Sequence, residues 1–331
     1  MEIEKERELL GHIKEYAVPD NRTALRDLGV TFGLFAAAFG LMLYGLAHGL
    51  WLMFALLPVA GVMITRLFTI QHDCGHGSYF SSQKVNNAVG CALGVLTLTP
   101  YYYWKKNHSV HHAFSGNLDK RGVGDVDTFT VEEYRAASPF KKLWYRIYRA
   151  PLFLIFVAPV LLFGVKHRLP LDCEFHSVKM WKNVMLTNAA ILLGIAGLVH
   201  FFGWQGFFFV YLPVVWLGSS LGIVMFYIQH QYEDAYWRKK DAWSYFDAGL
   251  LGSSYFEFSR PVSWLVGNIN LHHIHHLNGH IPLYRLRQCF AQITVLQDVR
   301  KRTLRDIPAC FRLALWDDER KKMVGFAQAA A

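Results

Sequence analysis

Two long apolar stretches divide the chain. No Asp, Glu, Lys or Arg occurs between positions 29 and 65, nor between positions 183 and 232. A hydrocarbon core about 30 Å thick takes about 20 apolar residues per helix, so each stretch is long enough for two helices joined by a tight turn. The first predicts spans near 29–47 and 51–70 around His48-Gly49, with Arg66 near the exit of the second, where it can reach the polar interface. The other stretch predicts spans near 184–202 and 206–228 around Gly203-Trp204-Gln205. Ahead of them, Leu9, Leu10, Ile13 and Tyr16 recur at helical spacing opposite a charged face. They predict a short amphipathic helix lying at the interface or on the protein, ended by Pro19-Asp20-Asn21. The expected fold class is an all-α polytopic membrane protein with four transmembrane helices in two hairpins.

Two further apolar segments are more ambiguous. Positions 86–104 are rich in Gly and end in Pro100 and three tyrosines, and positions 149–165 hold Pro151 and Pro159. Charge placement decides how to read them. Both turns on the far side lack formal charge, so every Lys and Arg lies at or near one side, as the positive-inside rule expects of the cytoplasm. A single crossing by either segment would carry later residues to the opposite face. Both are therefore expected to be interfacial or buried. The chain then reads as one domain over 1–331: an N-terminal amphipathic segment 1–26, hairpins 29–70 and 184–228, and a cytoplasmic cap from 71–183 and 229–331.

Composition fits this picture. The 331 residues are 53% hydrophobic and 18% charged, against about a quarter charged in soluble proteins. The net charge of +9 is mostly the cytoplasmic-side excess of a membrane protein, and no nucleic-acid partner is expected. Positions 1–16 carry no apolar core of a cleavable signal. Five scattered cysteines (Cys74, Cys91, Cys173, Cys289, Cys310) form no C-x-x-C pair, which suggests neither a thiolate metal site nor a disulfide framework.

The chemistry lies in histidine. Four imidazoles fall in five positions at His272, His273, His275 and His276; on a helix all but His273 share one face. His108, His111 and His112 repeat the H-x-x-H-H spacing, and His72 and His76 form an H-x-x-x-H pair at the exit of the second span. His230 follows the fourth span by two residues. Imidazole is the commonest metal ligand, and such motifs misfire singly but rarely three times in register. Nine imidazoles are too many for one ion and suit two. Ligating histidines need an acceptor on the outer ring nitrogen; Asp73, Asp119, Asp125, Asp127 and Glu233 are the nearby carboxylates, and His273 and His280 flank the third cluster. The isolated His12, His48, His167, His176 and His200 read as ordinary interfacial residues, and Tyr101, Tyr102, Tyr103 and Trp104 as an interfacial aromatic belt, with a tunnel lining as the alternative.

The three boxes, in this order and placed after hairpins, resemble the membrane fatty acid desaturases. The segments 226–234 (FYIQHQYED), 252–255 (GSSY), 267–278 (GNINLHHIHHLN) and 281–284 (IPLY) look like the bacterial acyl-lipid desaturases of the omega-6, delta-12 type. The resemblance covers about 27–326. It implies two non-haem irons bound by His72, His76, His108, His111, His112, His230, His272, His275 and His276, with dioxygen as co-substrate and a lipid-borne acyl chain as substrate, in a bacterial inner membrane. Some acyl-CoA members carry an Asn one turn before the late histidine; here Phe226 stands there, with Gln229 or Gln231 as candidate substitutes. With neither a His-Pro-Gly-Gly haem motif nor a dinucleotide fingerprint, the chain should take electrons from a separate ferredoxin or b-type cytochrome. The basic connector 166–182 and the charged run 300–322 are the candidate docking surfaces. A hydroxylase or ketolase outcome at the same centre is the alternative within the superfamily. A histidine-rich metal transporter or sensor is the alternative outside it, disfavoured because the clusters sit at span ends on one side.

Overall fold

A computed structural model describes residues 2–171 and 177–330. Cys173, His176 and part of the basic connector lie outside the described residues. The described chain is mostly helical. Helix α1 (Glu2–Lys14) buries Leu9 and Ile13 in the main core, and the Tyr16 hydroxyl beyond it donates to Gln292 Oε1 at 2.6 Å, so the amphipathic segment packs on the protein. Asp20 caps α2 (Asn21–Ala47), its carboxylate accepting from the amides of Arg22 and Thr23. The chain turns through Gly49 at φ 71°. A close approach at Gly45, where a Cβ would come within 2.5 Å of the Met53 side chain, seats the next stretch against α2. After a 3-10 turn, α3 (Leu57–His76) runs through the first histidine pair and stops at Gly77, φ 73°.

Three helical stretches are long and apolar enough to cross a membrane: Asn21–Ala47, Trp51–His76 and Val178–His230. The third holds both later predicted spans in 53 residues, about 80 Å if straight at 1.5 Å per residue. Within it, α8 (Val178–Gln205) contains Gly203 at φ 63° and ψ −179°, a conformation only glycine adopts readily, and a π-helical turn leads into α9 (Leu212–His230). Near its start, Asn183 Oδ1 accepts from the amides of Tyr102 and Tyr103; at its end, His230 lies among the other histidines. Helices α3 and α9 meet through glycine: a Cβ on Gly61 would collide with Leu217, and one on Gly218 with Ile64, while Thr65 Oγ1 donates to both the Gly61 and Gly218 carbonyls. Small residues permit such backbone approach where apolar burial between helices is weak.

Neither ambiguous segment forms a straight span. The 86–104 stretch breaks into α4 (Gln83–Leu96) and α5 (Tyr101–Phe114) around Leu98 at φ 55°; 14 residues rise only about 21 Å. The cap then adds α6 (Val131–Ala136) and α7 (Pro139–Tyr148). The following apolar piece, Phe153–Arg168, is bent 67° from α7. Leu152 just before it and Phe156 and Val160 on it are exposed while Arg149 and Leu154 are buried, so 149–165 is not buried throughout. Its proline-interrupted helix is π-wound and leans on α9, where Ser220 Oγ donates to the Ile155 carbonyl at 2.8 Å. The rest of the cap is short elements: α10 (Tyr245–Leu251), α11 (Arg260–Leu265), α12 (His272–Leu277) and α13 (Leu283–Gln292).

Two expectations need correction. The chain is not purely helical: Phe129–Thr130, Leu315–Asp317 and Lys322–Val324 make a three-stranded sheet, and Tyr255–Phe256 pairs in parallel with Lys301–Arg302. Part of the charged run 300–322 is folded back and paired, Arg300 and Arg302 on Asp234 and Lys322 on Glu233. Arg66 does not reach the interface. It is fully buried, paired with Asp27 on α2, donating to Thr31 Oγ1 and the Trp264 carbonyl and stacked 4.1 Å over the Trp264 ring, so it ties α2, α3 and α11 together.

Candidate metal centre

All nine histidines converge, and they sort into two groups. One ligand nitrogen from each of His72, His76, His108, His112 and His275 lies within 4.8 Å of the others; so does one from each of His111, His230, His272 and His276. The sorting cuts across the motifs. Helix α5 sends His108 and His112 to the first group and His111 to the second, while α12 sends His275 to the first and His272 and His276 to the second. Two adjacent helical faces, each carrying the H-x-x-H-H spacing, therefore straddle both groups. The groups adjoin: His112 stacks on His276 with centroids 4.1 Å apart and rings 10° from parallel.

Nitrogens face one another across each group: His76 Nε2 to His108 Nε2 at 3.0 Å and His112 Nε2 to His275 Nε2 at 3.1 Å in the first, His230 Nε2 to His272 Nε2 at 3.0 Å in the second. His111 Nε2 and His276 Nε2 are buried with no hydrogen-bond partner. Orphaned buried nitrogens are costly, and lone pairs converging on common points are what a pair of cations would satisfy. Burial, reinforced by repulsion between neighbouring imidazoles, holds His108, His112, His272, His275 and His276 well below the ordinary histidine pKa. They are neutral near pH 7, the form that ligates.

The outer contacts are selective. His111 Nδ1 meets Asp125 Oδ1 at 2.7 Å, and His72 Nδ1 meets Asp73 Oδ1 at a longer 3.3 Å. The other Asp73 oxygen accepts from the Leu283 amide at 2.6 Å. Gly124, φ 72°, makes the Asp125 contact possible: a Cβ there would meet the Asn107 carbonyl at 2.7 Å, so the loop lies directly on α5. The remaining candidates bond elsewhere. Asp119 accepts from the Lys240 amide, Asp127 is exposed, and Glu233 is exposed on Lys322. His273 turns away to the Leu296 carbonyl, and His280 is exposed. Both glutamines near Phe226 are committed: Gln229 to the Ile269 carbonyl, Gln231 to Arg149 and Thr128.

Several supports had no sequence signal. The Gly252 carbonyl faces His230 Nδ1 at 3.2 Å, a backbone group that no side-chain pattern reveals. The six-residue α12 is held by amides: Ser263 Oγ donates to Asn268 and Asn270, Asn270 Nδ2 to the Phe256 carbonyl, and Asn268 Nδ2 to the Leu283 carbonyl. The aromatic-belt reading of 101–104 fails. Tyr101 and Tyr103 are fully buried, and Trp104 stacks on His108 at 4.5 Å, because α5 turns them into the protein. Phe226 sits 5.2 Å from both His111 and His230, closing the second group with an apolar ring.

Apolar membrane-length helices ending in a buried, two-part imidazole cluster define a membrane-associated protein with a metal site. The fatty acid desaturase family model matches residues 49–299, and the chain belongs to that family, whose members are oxidoreductases of lipid metabolism. It is 37% identical over 322 residues to a fatty acid desaturase of Bacillus subtilis, covering 97% of this chain and 91% of that protein. It is 30% identical to an sn-1 oleoyl-lipid 12-desaturase of Picosynechococcus, over 72% of this chain and 69% of that one. An sn-1 acyl-lipid omega-3 desaturase (ferredoxin) of Synechocystis is likewise 30% identical, over 79% and 71%.

Proposed function

We propose that this chain is a dioxygen-dependent desaturase that introduces a double bond into a fatty acyl chain of a membrane lipid, at two non-haem irons. His72, His76, His108, His112 and His275 hold one ion, and His111, His230, His272 and His276 the other. The observation that carries this reading is the division of nine imidazoles into groups of five and four ligand atoms. Iron with open coordination positions, reacting with dioxygen, supplies the oxidising power that breaking an unactivated methylene C–H bond needs and that side chains lack. The chain's own residues do the rest. Asp125 and the Gly252 carbonyl fix ring orientation for His111 and His230, and Asp73 does so more weakly for His72. Trp104 and Phe226 cover the rings with apolar surface that excludes water.

The chain forms one domain with four spans in two hairpins and a cytoplasmic cap. A length of 53 residues with a left-handed Gly203, and both ends beside the histidine-bearing elements, supports reversal within Val178–His230. The bent apolar segment enters and returns without crossing: Arg149 at one end bonds Gln231, and Arg168 at the other bonds Asn188 and the Leu98 carbonyl. The Lys/Arg asymmetry supports the cytoplasmic side for the cap, and the bacterial relatives support a bacterial inner membrane. Ferredoxin, named for the Synechocystis relative, is the electron donor.

Metal analysis of protein purified in mild detergent tests the centre. About two irons per chain are expected, falling to about one in His112→Ala and in His276→Ala. One ion or none in protein that converts lipid normally overturns the reading.

A further inference from the structure

Two cavities adjoin where α5 faces the start of α8. The inner one, about 280 Å³, reaches His76 and His108 past Trp104 and Met180 and is also lined by Lys105, Lys106 and Lys179. The outer one, about 350 Å³, lies between α4 and α8 among Cys91, Val95, Leu186 and Thr187, with Lys182. Tyr102 and Lys179 line both. Leu186 on its rim is 71% exposed, so the outer slot opens outward where α8 passes from its lysine-bearing first turns into its apolar length. Lys106, Lys179 and Lys182 are exposed, and none of the four lysines forms an ion pair among the described residues. Burial, with repulsion from Lys179 and against the pull of Cys74, holds the Lys105 ammonium below its ordinary pKa.

Resting on the desaturase reading, we propose that the paired cavities seat a two-chain glycerolipid with an anionic phosphate headgroup. The phosphate lies on Lys179 and Lys182 at the junction. One acyl chain occupies the outer slot between α4 and α8; the other is led past Trp104 and Met180 to His76 and His108. The concave shape favours a lipid over a docked protein: the lysines ring a two-branched cavity with one branch opening outward beside the apolar length of α8 and the other to the imidazoles, whereas a protein partner needs a broad convex or flat face.

The test uses phosphatidylglycerol and phosphatidylcholine with identical acyl chains, mixed equally in vesicles with the full-length protein. After extraction into mild detergent, mass spectrometry counts each lipid retained per chain. The wild type should retain phosphatidylglycerol selectively. Each lysine at a membrane surface gives about fivefold, so Lys179→Gln or Lys182→Gln should cut the selectivity about fivefold and the pair about 25-fold if the sites add. Equal retention by the wild type, or undiminished selectivity in the double variant, overturns the proposal. So does a double variant that keeps its lipid but is reduced more slowly by an acidic iron–sulfur carrier, which would make the lysines a donor dock. Retention does not depend on turnover, so a chain that selects phosphatidylglycerol yet forms no double bond upholds the headgroup site and refutes the desaturase reading instead.

Discussion

Replacing Asp125 with Asn separates the two halves of the centre. Asp125 is almost wholly buried and meets His111 Nδ1 at 2.7 Å, the tightest carboxylate contact any of the nine imidazoles makes. Asn keeps the volume and an acceptor oxygen but removes the charge that raises imidazole basicity and fixes which nitrogen carries the proton. Changes of this kind cost about 10- to 100-fold in metal affinity, or about 1.4 to 2.7 kcal/mol. His111 belongs to the four-histidine group, so the loss should fall there. The five-histidine group, to which Asp125 makes no hydrogen bond, should be untouched. Competition against a chromophoric chelator, in detergent and with iron under exclusion of oxygen, resolves two affinities per chain. The variant should show one of them weakened by one to two decades at an unchanged melting temperature. Equal weakening of both sites, or of neither, would refute the assignment of Asp125 to one ion.

Arg66→Met leaves Asp27 buried without its cation and frees α11 from α3; removing one partner of a buried pair costs about 3 to 5 kcal/mol, seen as a large fall in melting temperature in detergent with metal bound or stripped. Acid should weaken the metal-free fold: burial holds His273 down at about 4, so the unfolded chain takes up a proton that the fold refuses once pH drops below the ordinary histidine value of about 6.5. Stability is full above that pH and declines towards pH 4, by up to about 3 kcal/mol for His273 alone; the other buried histidines add to the decline, so His273→Gln should make the fall in melting temperature between those limits shallower without abolishing it, and an unchanged slope would show that His273 plays no part.

Much of this protein was readable along the chain. Charge-free stretches of membrane length marked the apolar helices, because an ionised group in hydrocarbon is too costly to scatter there. Eight of the nine candidate histidines stood out by helical spacing, which places side chains three and four apart on one face, and His230 by its place just past an apolar stretch and by the family resemblance. What spacing cannot give is which partner each face meets. The five-and-four sorting arises only because histidines carried by α3, α5, α9 and α12 meet in space, and the glycines at 61 and 218 bring α3 and α9 together. Of the carboxylates, Asp125 reaches an imidazole because Gly124 lays its loop on α5, whereas Glu233, three residues from His230, ends in solvent. Arg66 looked interfacial because depth was judged from distance to the span's end; tertiary packing gave it Asp27, Thr31 and Trp264 instead. The two short sheets were invisible since two- and three-residue strands carry no periodicity of their own. The sequence by itself determined which residues are candidate ligands and which segments are apolar, because those are properties of side chains and local spacing. Only the tertiary structure decided how nine equivalent imidazoles divide between two sites and which neighbours orient them, because those depend on contacts between residues far apart in the chain.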